Sequence, residues 1–253
     1  MRTFKLLVSY DGTNYFGWQA QNGQRSVQET IENAIARVTG QKVRILASGR
    51  TDSGVHALGQ VVSFRLETRL TPEVLRRALN AVLPGDIAVL DASETHDNFH
   101  PMHQAVGKRY RYLIHDGPVR DVFRRRYCWH FRQGRLDAQS MHRSATALIG
   151  AHDFSSFETS SSRSKNSVRT IFDLTVRRGR GDEQDWITIE VEADGFLYNM
   201  VRAIVGTLVE VGRGVRPETY PAEVLRAVDR RLAGPTAPPQ GLFLVKVDYK
   251  DRE

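Results

Sequence analysis

A single cysteine, Cys128, stands in a chain of 253 residues. One thiol closes no internal disulfide and builds no cysteine-ligated metal cluster. Such sparing cysteine use fits a reducing compartment. No apolar run approaches the ~20 residues a membrane-spanning helix needs. The first residues, "MRTFKLLVSYDG", enter strand-like alternation directly and show no cleavage-site pattern. The expectation is a cytoplasmic protein with no secretory leader and no membrane partner. Also missing are a phosphate-binding Gly-Lys-Thr motif, a dinucleotide fingerprint and a His-Glu-x-x-His pair. Nucleotide hydrolysis, nicotinamide chemistry and zinc proteolysis lose their usual signatures.

What is present is an ordinary globular composition, 40% hydrophobic and 26% charged, with a net charge of +7. The length allows one large domain or two halves, with core to spare. Arginine supplies most of the positive charge. Its planar fork suits phosphate and stacks on bases, so nucleic acid is a candidate partner. A merely solvated basic surface is the plainer reading.

Periodicity and capping give a coarse map. Strands are expected at 3–10, 42–48, 57–67 and over "DIAVLDASE". A helix opens at the Ser26-x-x-Glu29 capping box and ends at Gly40. A second runs from the Thr71 cap and Pro72 to about Leu83. That order is βαββαβ. In the second half, strands are expected at 105–115, 126–131, 168–177, 185–193 and over "LFLVKVDY". Helices are expected from the Asp137 cap to Ile149, from Phe196 to Val211 and from Pro221 to Leu232. The reading is an α+β protein of two ferredoxin-like halves, residues 1–100 and 101–253. Each half is a mixed, mainly antiparallel sheet backed by helices, with an active-site cleft between the halves. The polar stretch "SSFETSSSRSKNS", 155–167, reads as a mobile loop.

On this map "SGRTDSGVHA", 48–57, links the second and third strands of the first half. A surface turn needs Gly and Asp. It does not need Arg50 and His56 as well, and such loops on a rigid sheet often carry chemistry. Asp52, Ser53 and His56 have the residue types of a hydrolase triad, but triads assemble from separate elements, and no Gly-x-Ser-x-Gly surrounds Ser53.

Three further segments compete with plainer readings. In "FLYNMVRAIVGTLV", 196–209, Arg202 is the one charged residue of a mostly buried helix, with Tyr198 a turn back. It either snorkels to an edge or meets an anion, such as Asp52 or a phosphate. In "KRYRYLIH", alternation puts Lys108, Tyr110 and Tyr112 on one strand face and Arg109 and Arg111 on the other. Aromatics among cations suit single-stranded RNA, though tyrosines also pack in cores. In "HDNFHPMH", His96, His100 and His103 have helical metal-ligand spacing, but Pro101 breaks such a helix, and no metal is expected. Arg124-Arg125-Arg126 is either a phosphate contact or a solvated run.

A lone ionised carboxylate at Asp52 can act as nucleophile or base, and a nearby arginine would keep it charged. No second carboxyl stands out as the acid that retaining glycosidases use. A glycosidic bond whose leaving base is a tolerable anion, such as uracil, has little need of that acid.

These motifs together are similar to the tRNA pseudouridine synthase A family. The resemblance runs nearly end to end, through "YDGTNYFGWQAQ", "SVQETIENA", "GRTDSGVHALGQ", "NAVLPGDIAV", "FHP" before "KRYRY", "GAHDFSSF", "VRTI", "GFLYNMVR", "VGTLVEVGRG" and "APPQGLFL". It implies a cofactor-free isomerisation of uridine to pseudouridine in the tRNA anticodon arm, at positions 38, 39 and 40, by a homodimer. It implies Asp52, Arg202 and Tyr110 as catalytic residues: Asp52 as the reacting carboxylate, Arg202 as its partner, Tyr110 stacking near the target uracil. Tyr110, Arg50, His56, Lys108 and Arg109 are expected to bind substrate. The chain departs from the family pattern at Ser53, where alanine is usual, at Asp194 in "ADGFLY", where the commoner form is "GNGFLY", and at Met102, where arginine is usual. With methionine there, holding a phosphate would fall to His103 or Arg109. A non-catalytic RNA-binding protein, using Tyr110 and the arginines but not Asp52, is the competing expectation.

Overall fold

A computed structural model describes residues 1–159 and 166–250. Two compact units divide the chain. The first comprises Met1–Val106 with Phe243–Glu253, the second Gly107–Leu242.

In the first unit, β1 (Arg2–Tyr10) alternates buried and half-buried residues, as a strand with one covered face must. It pairs antiparallel with β3 (His56–Leu66) on one side and with β4 (Ile87–Thr95) on the other. On its other edge β3 takes the two-residue β2 (Leu46–Ala47), antiparallel, and the last strand β10 (Leu242–Tyr249), parallel at His56 and Ala57. Helix α1 (Val27–Thr39) begins at the expected Ser26 cap, whose Oγ accepts the Glu29 N–H, and ends at Gly40 in the left-handed region. Helix α2 (Pro72–Val82) is capped by Thr71. Ile31 and Ile35 of α1, Leu75 and Leu79 of α2, and Phe4, Leu6 and Val8 of β1 are fully buried. Each such side chain contributes about 2 kcal/mol.

In the second unit the order is β5-β9-β8-β7, all antiparallel, with a short β6 (Trp129–His130) parallel to β5. The strands are β5 (Ala105–His115), β7 (Gly150–Asp153), β8 (Val168–Arg178) and β9 (Trp186–Ala193). Helix α3 (Ala138–Ala145) starts at the Asp137 cap. Helix α4 (Met200–Gly212) is buried almost all round. Helix α5 (Tyr220–Ala227) follows. Each unit is thus α+β with a mixed, mainly antiparallel sheet.

Several expected boundaries move, each for a local reason. The strand read at 42–48 contracts to Leu46–Ala47. The backbone of Ile45 is served instead by α1: its N–H donates to Glu32 Oε1 at 3.0 Å and its carbonyl accepts from Gln28 Nε2 at 3.2 Å. The helix read to Ile149 stops at Ala145 and tightens into a 3-10 turn, where Thr146 Oγ1 donates back to the Arg143 carbonyl. The helix read from Phe196 begins only at Met200, because Asn199 sits in the left-handed region with φ 61°. Tyr198 is therefore not a helical neighbour of Arg202. The helix read to Leu232 ends at Ala227, where Val228 turns left-handed at φ 49°. Strand β7 was not expected; four residues opening on a glycine carry no alternation. Of the loop read at 155–167, Ser155–Phe157 form a 3-10 turn, and residues 160–165 lie outside the described residues.

Candidate active site

The loop from Ser48 to Val55 is pinned by the segment that follows β1. The Trp18 N–H donates to the Thr51 carbonyl at 2.9 Å, and Tyr10 Oη meets Thr51 Oγ1 at 2.8 Å. Ser53 Oγ donates to the Tyr15 carbonyl at 3.2 Å. A turn closes between Asp52 and Val55, whose N–H reaches the Asp52 carbonyl at 3.1 Å. On the other flank, Ser48 Oγ donates to Gln60 Oε1 at 2.5 Å, and Gln60 Nε2 donates to the Gly49 carbonyl at 2.9 Å. Two glycines make this approach possible. A Cβ on Gly12 would strike the Val55 carbonyl, and one on Gly17, at φ +84°, would meet the backbone of Thr51 and Asp52.

Asp52 is half-buried on this platform. Arg50 is exposed and, among the described residues, makes no hydrogen bond or ion pair. A guanidinium left uncommitted two residues from the carboxylate is available to an incoming phosphate or base. His56 behaves differently. It is 1% exposed, stacks on Phe243 at 4.8 Å, and its Nδ1 accepts the Gly12 N–H at 3.0 Å. Asp11 Oδ1 also lies 3.1 Å from that nitrogen. One nitrogen cannot accept from Gly12 and donate to Asp11 at once, and Asp11 Oδ1 already accepts from Thr13 N–H and Oγ1–H. The Gly12 bond therefore defines the tautomer, with the proton on Nε2. His56 so placed holds the loop rather than offering a free face.

In the second unit, Tyr110 points to the buried face of β5, as alternation requires, and is 8% exposed. Phe196 packs edge-on against it, centroids 5.0 Å apart at 83°. Arg202 lies in the first turn of α4. A cation there opposes the helix dipole, at a cost of roughly 0.3–1 kcal/mol. It is held nonetheless: Nε donates to the Ala237 carbonyl at 2.7 Å and Nη1 to Asn199 Oδ1 at 2.7 Å. Asn199 is braced in turn by Thr159 Oγ1 at 2.8 Å. The helix N-terminus and the guanidinium sum to a local positive field suited to an anion.

Lys108 is half-buried, and desolvation, aided by the nearby Arg169 charge, holds its amine below the ordinary lysine value. Arg109 and Arg111 sit opposite Glu192 and Glu190 across the β5–β9 ladder. Arg109 Nε donates to Glu192 Oε2 at 2.7 Å, and Arg111 Nε to Glu190 Oε1 at 2.8 Å. A phosphate reaching Arg109 would have to displace Glu192. Arg124 is similarly committed, to Asp121 and Glu183, with its guanidinium 3.8 Å from the Trp186 ring centre. Residues 101–104 form a turn rather than a helix. His100 Nδ1 accepts from the Met102 and His103 amides, and no metal-ligating group of three or more His, Cys, Asp or Glu occurs among the described residues.

The residues that position the Asp52 loop, Gly12 and Gly17 above all, escaped the sequence reading. Their signal was present: two glycines inside "YDGTNYFGWQ", a stretch with no strand alternation to explain them.

The family model described as tRNA pseudouridine synthase matches residues 6–103 and 144–250. A relative from Thermoanaerobacter sp. (strain X514), tRNA pseudouridine synthase A, is 47% identical over 98% of this chain and 100% of its own. The protein of that name from Acetivibrio thermocellus is 46% identical over 98% and 100%. That from Syntrophotalea carbinolica is 43% identical over 100% and 98%. With the matched stretches taking in both the Asp52 loop and the start of α4, the chain belongs to the tRNA pseudouridine synthase family.

Proposed function

We propose that this member of the family converts uridine to pseudouridine at positions 38, 39 and 40 of the tRNA anticodon arm, with Asp52 as the reacting carboxylate. The reaction class, isomerisation of uridine in tRNA, is that of the family. The reaction breaks the bond from C1′ to N1 and forms one from C1′ to C5. The C5 proton is released and N1 gains one, so no redox partner and no net loss of atoms is involved. Attack of an Asp52 oxygen on C1′ and removal of a sugar proton to a glycal both require the carboxylate ionised. Arg202 and Tyr110 act on the same nucleoside, the arginine balancing charge on the carboxylate and the tyrosine stacking near the uracil. Arg50 holds the extruded nucleotide, whose unstacking costs a few kcal/mol and is least costly in a loop. His56 takes its part by holding the loop, and Lys108 and Arg109 by contacts to the RNA backbone.

The observation that carries this reading is the Asp52 platform. Bonds to Tyr10, Tyr15 and Trp18 hold its Thr51 and Ser53, while Arg50 beside it is left uncommitted among the described residues. Both halves, 1–100 and 101–253, are read as ferredoxin-like. Support comes from the first unit's order β4-β1-β3, with β2 against β3 and the crossing helices α1 and α2. A homodimer acting in the cytoplasm completes the proposal. No helix among the described residues is long and apolar enough to cross a membrane.

The test is tritium release from tRNA carrying 5-tritiated uridine. Wild type should release tritium. Asp52→Asn should bind the same tRNA within about threefold and release none. Release by Asp52→Asn at a rate near that of wild type would remove Asp52 from the chemistry.

A further inference from the structure

The second unit holds a cavity of about 670 Å³ between the β5–β6 connection and the turn after β6. Arg120, His130, Phe131, Arg132 and Arg135 contribute to its walls, with Asp116. None of the residues assigned to the reaction lines it. The stretch that builds it, 116–135, also falls between the two segments matched by the family model.

The charges around this cavity divide into two kinds. Some are tied down. Arg135 bonds Asp185 Oδ1 at 2.8 Å and the Gln184 carbonyl at 2.9 Å. Asp116, the acidic residue in the wall, receives Arg178 on both oxygens at 2.9 and 2.6 Å, and the Leu136 N–H at 2.9 Å. Its carboxylate is compensated and does not repel an incoming anion. His130 Nε2 lies 3.1 Å from the Gly117 carbonyl and so carries the proton, bracing the wall as a donor. Arg120 and Arg132 are of the other kind. Both are exposed, and among the described residues neither makes a hydrogen bond or an ion pair. A concave site framed by compensated charges, with two free guanidinium forks, calls for an anion with several oxygens.

The same connection exposes Val119 at 76% and Phe123 at 89%. Phe123 stands three residues along the chain from Arg120, outside the cavity lining, and its backbone N–H donates to Asp121 Oδ1 at 2.8 Å. Arginines that bind phosphate beside an aromatic that can stack are the two needs of single-stranded or looped RNA. The chain's substrate class supplies both a phosphodiester and a base.

We propose that this cavity holds a backbone phosphate of the tRNA, distinct from that of the reacting uridine, through Arg120 and Arg132, with Phe123 against a neighbouring base. The proposal rests on the reading of the chain as a tRNA-modifying enzyme. Tritium release by wild type, measured first, checks that reading separately.

The experiment compares Arg120→Gln/Arg132→Gln with a charge-matched control, Arg37→Gln/Arg69→Gln, at exposed sites in the first unit. The cavity variant should raise KM for tRNA about tenfold and leave kcat within twofold. The slope of log affinity against log salt should fall by about one to two, and the control should change neither. Phe123→Ala should weaken tRNA binding severalfold without changing the salt slope. Equal losses in cavity variant and control would reduce the site to bulk charge and overturn the proposal. So would tRNA kinetics left unchanged while inorganic phosphate alone saturates the wild-type cavity, which would mark a free-anion site. A change of oligomeric state in light scattering with an unchanged salt slope would assign the surface to contact between copies, and would equally overturn it.

Discussion

Gly17 lies against Thr51 so closely that a Cβ on it would stand 2.7 Å from the Thr51 carbonyl oxygen. At φ +84°, Gly17 is also in a conformation that other residues resist. Gly17→Ala must therefore move the backbone that carries Asp52. The expected cost is about 1–3 kcal/mol of stability. Turnover should fall more than tenfold while KM changes less than threefold. Gly85→Ala, with nothing within 4 Å and no positive φ, serves as the neutral comparison. Thermal melting and tritium release read both effects.

Arg202→Lys keeps the charge and loses the fork. The guanidinium reaches the Ala237 carbonyl and Asn199 Oδ1 from two different nitrogens, Nε and Nη1, and a lysine's single nitrogen cannot occupy both positions. Turnover should drop about 100-fold. In a cycle with Asp52→Glu, which keeps a carboxylate and a measurable residual rate, adding Arg202→Lys should cost much less than 100-fold, because groups acting as one unit are not additive. Additive losses would show that the two residues act independently.

Tyr110→Phe preserves the edge-on packing with Phe196 and removes only the hydroxyl. Turnover should fall about tenfold or more, with tRNA affinity held within a few fold. Equal losses in turnover and binding would make Tyr110 a docking group.

Asp116 offers a test of stability against pH. Burial pushes its carboxyl up, but the Arg178 hydrogen bond and the Leu136 N–H outweigh burial and hold it below the ordinary value. The unfolded chain therefore takes up this proton at a higher pH than the folded one. The contribution is complete above the unfolded value, ~3.9, and is lost as pH falls through the lower folded one. Asp116→Asn should cost about 3 kcal/mol at neutral pH, since it leaves Arg178 half-buried without its charge partner. It should also flatten the wild-type loss of stability below about pH 4. Urea titrations from pH 3 to 7 measure both.

Much of the architecture is legible in the chain's local pattern. Ser26, Thr71 and Asp137 cap helices where their side chains said they would, because a cap is a contact between residues two or three apart. The alternation of β1, β5 and β10 gives their spans to within a residue, because period two is a local property of a covered sheet. The Asp52 loop was visible as a polar stretch between strands.

The rest depended on partners far along the chain. Ile45 leaves the sheet because Gln28 and Glu32 of α1 take its backbone groups. His56 is buried because Gly12 and Phe243, distant in sequence, meet on its two sides. Arg109 is bound by Glu192 because β5 and β9 pair in one register out of several that the strands allow. Local sequence thus determined which segments would become strands and helices and which loop carried the carboxylate, since caps and periodicity act over a single turn. Only tertiary structure decided which cations were neutralised and which, such as Arg50, Arg120 and Arg132, were left uncommitted among the described residues. An ion pair depends on which surfaces are brought within a few ångströms, and no short stretch of chain encodes that.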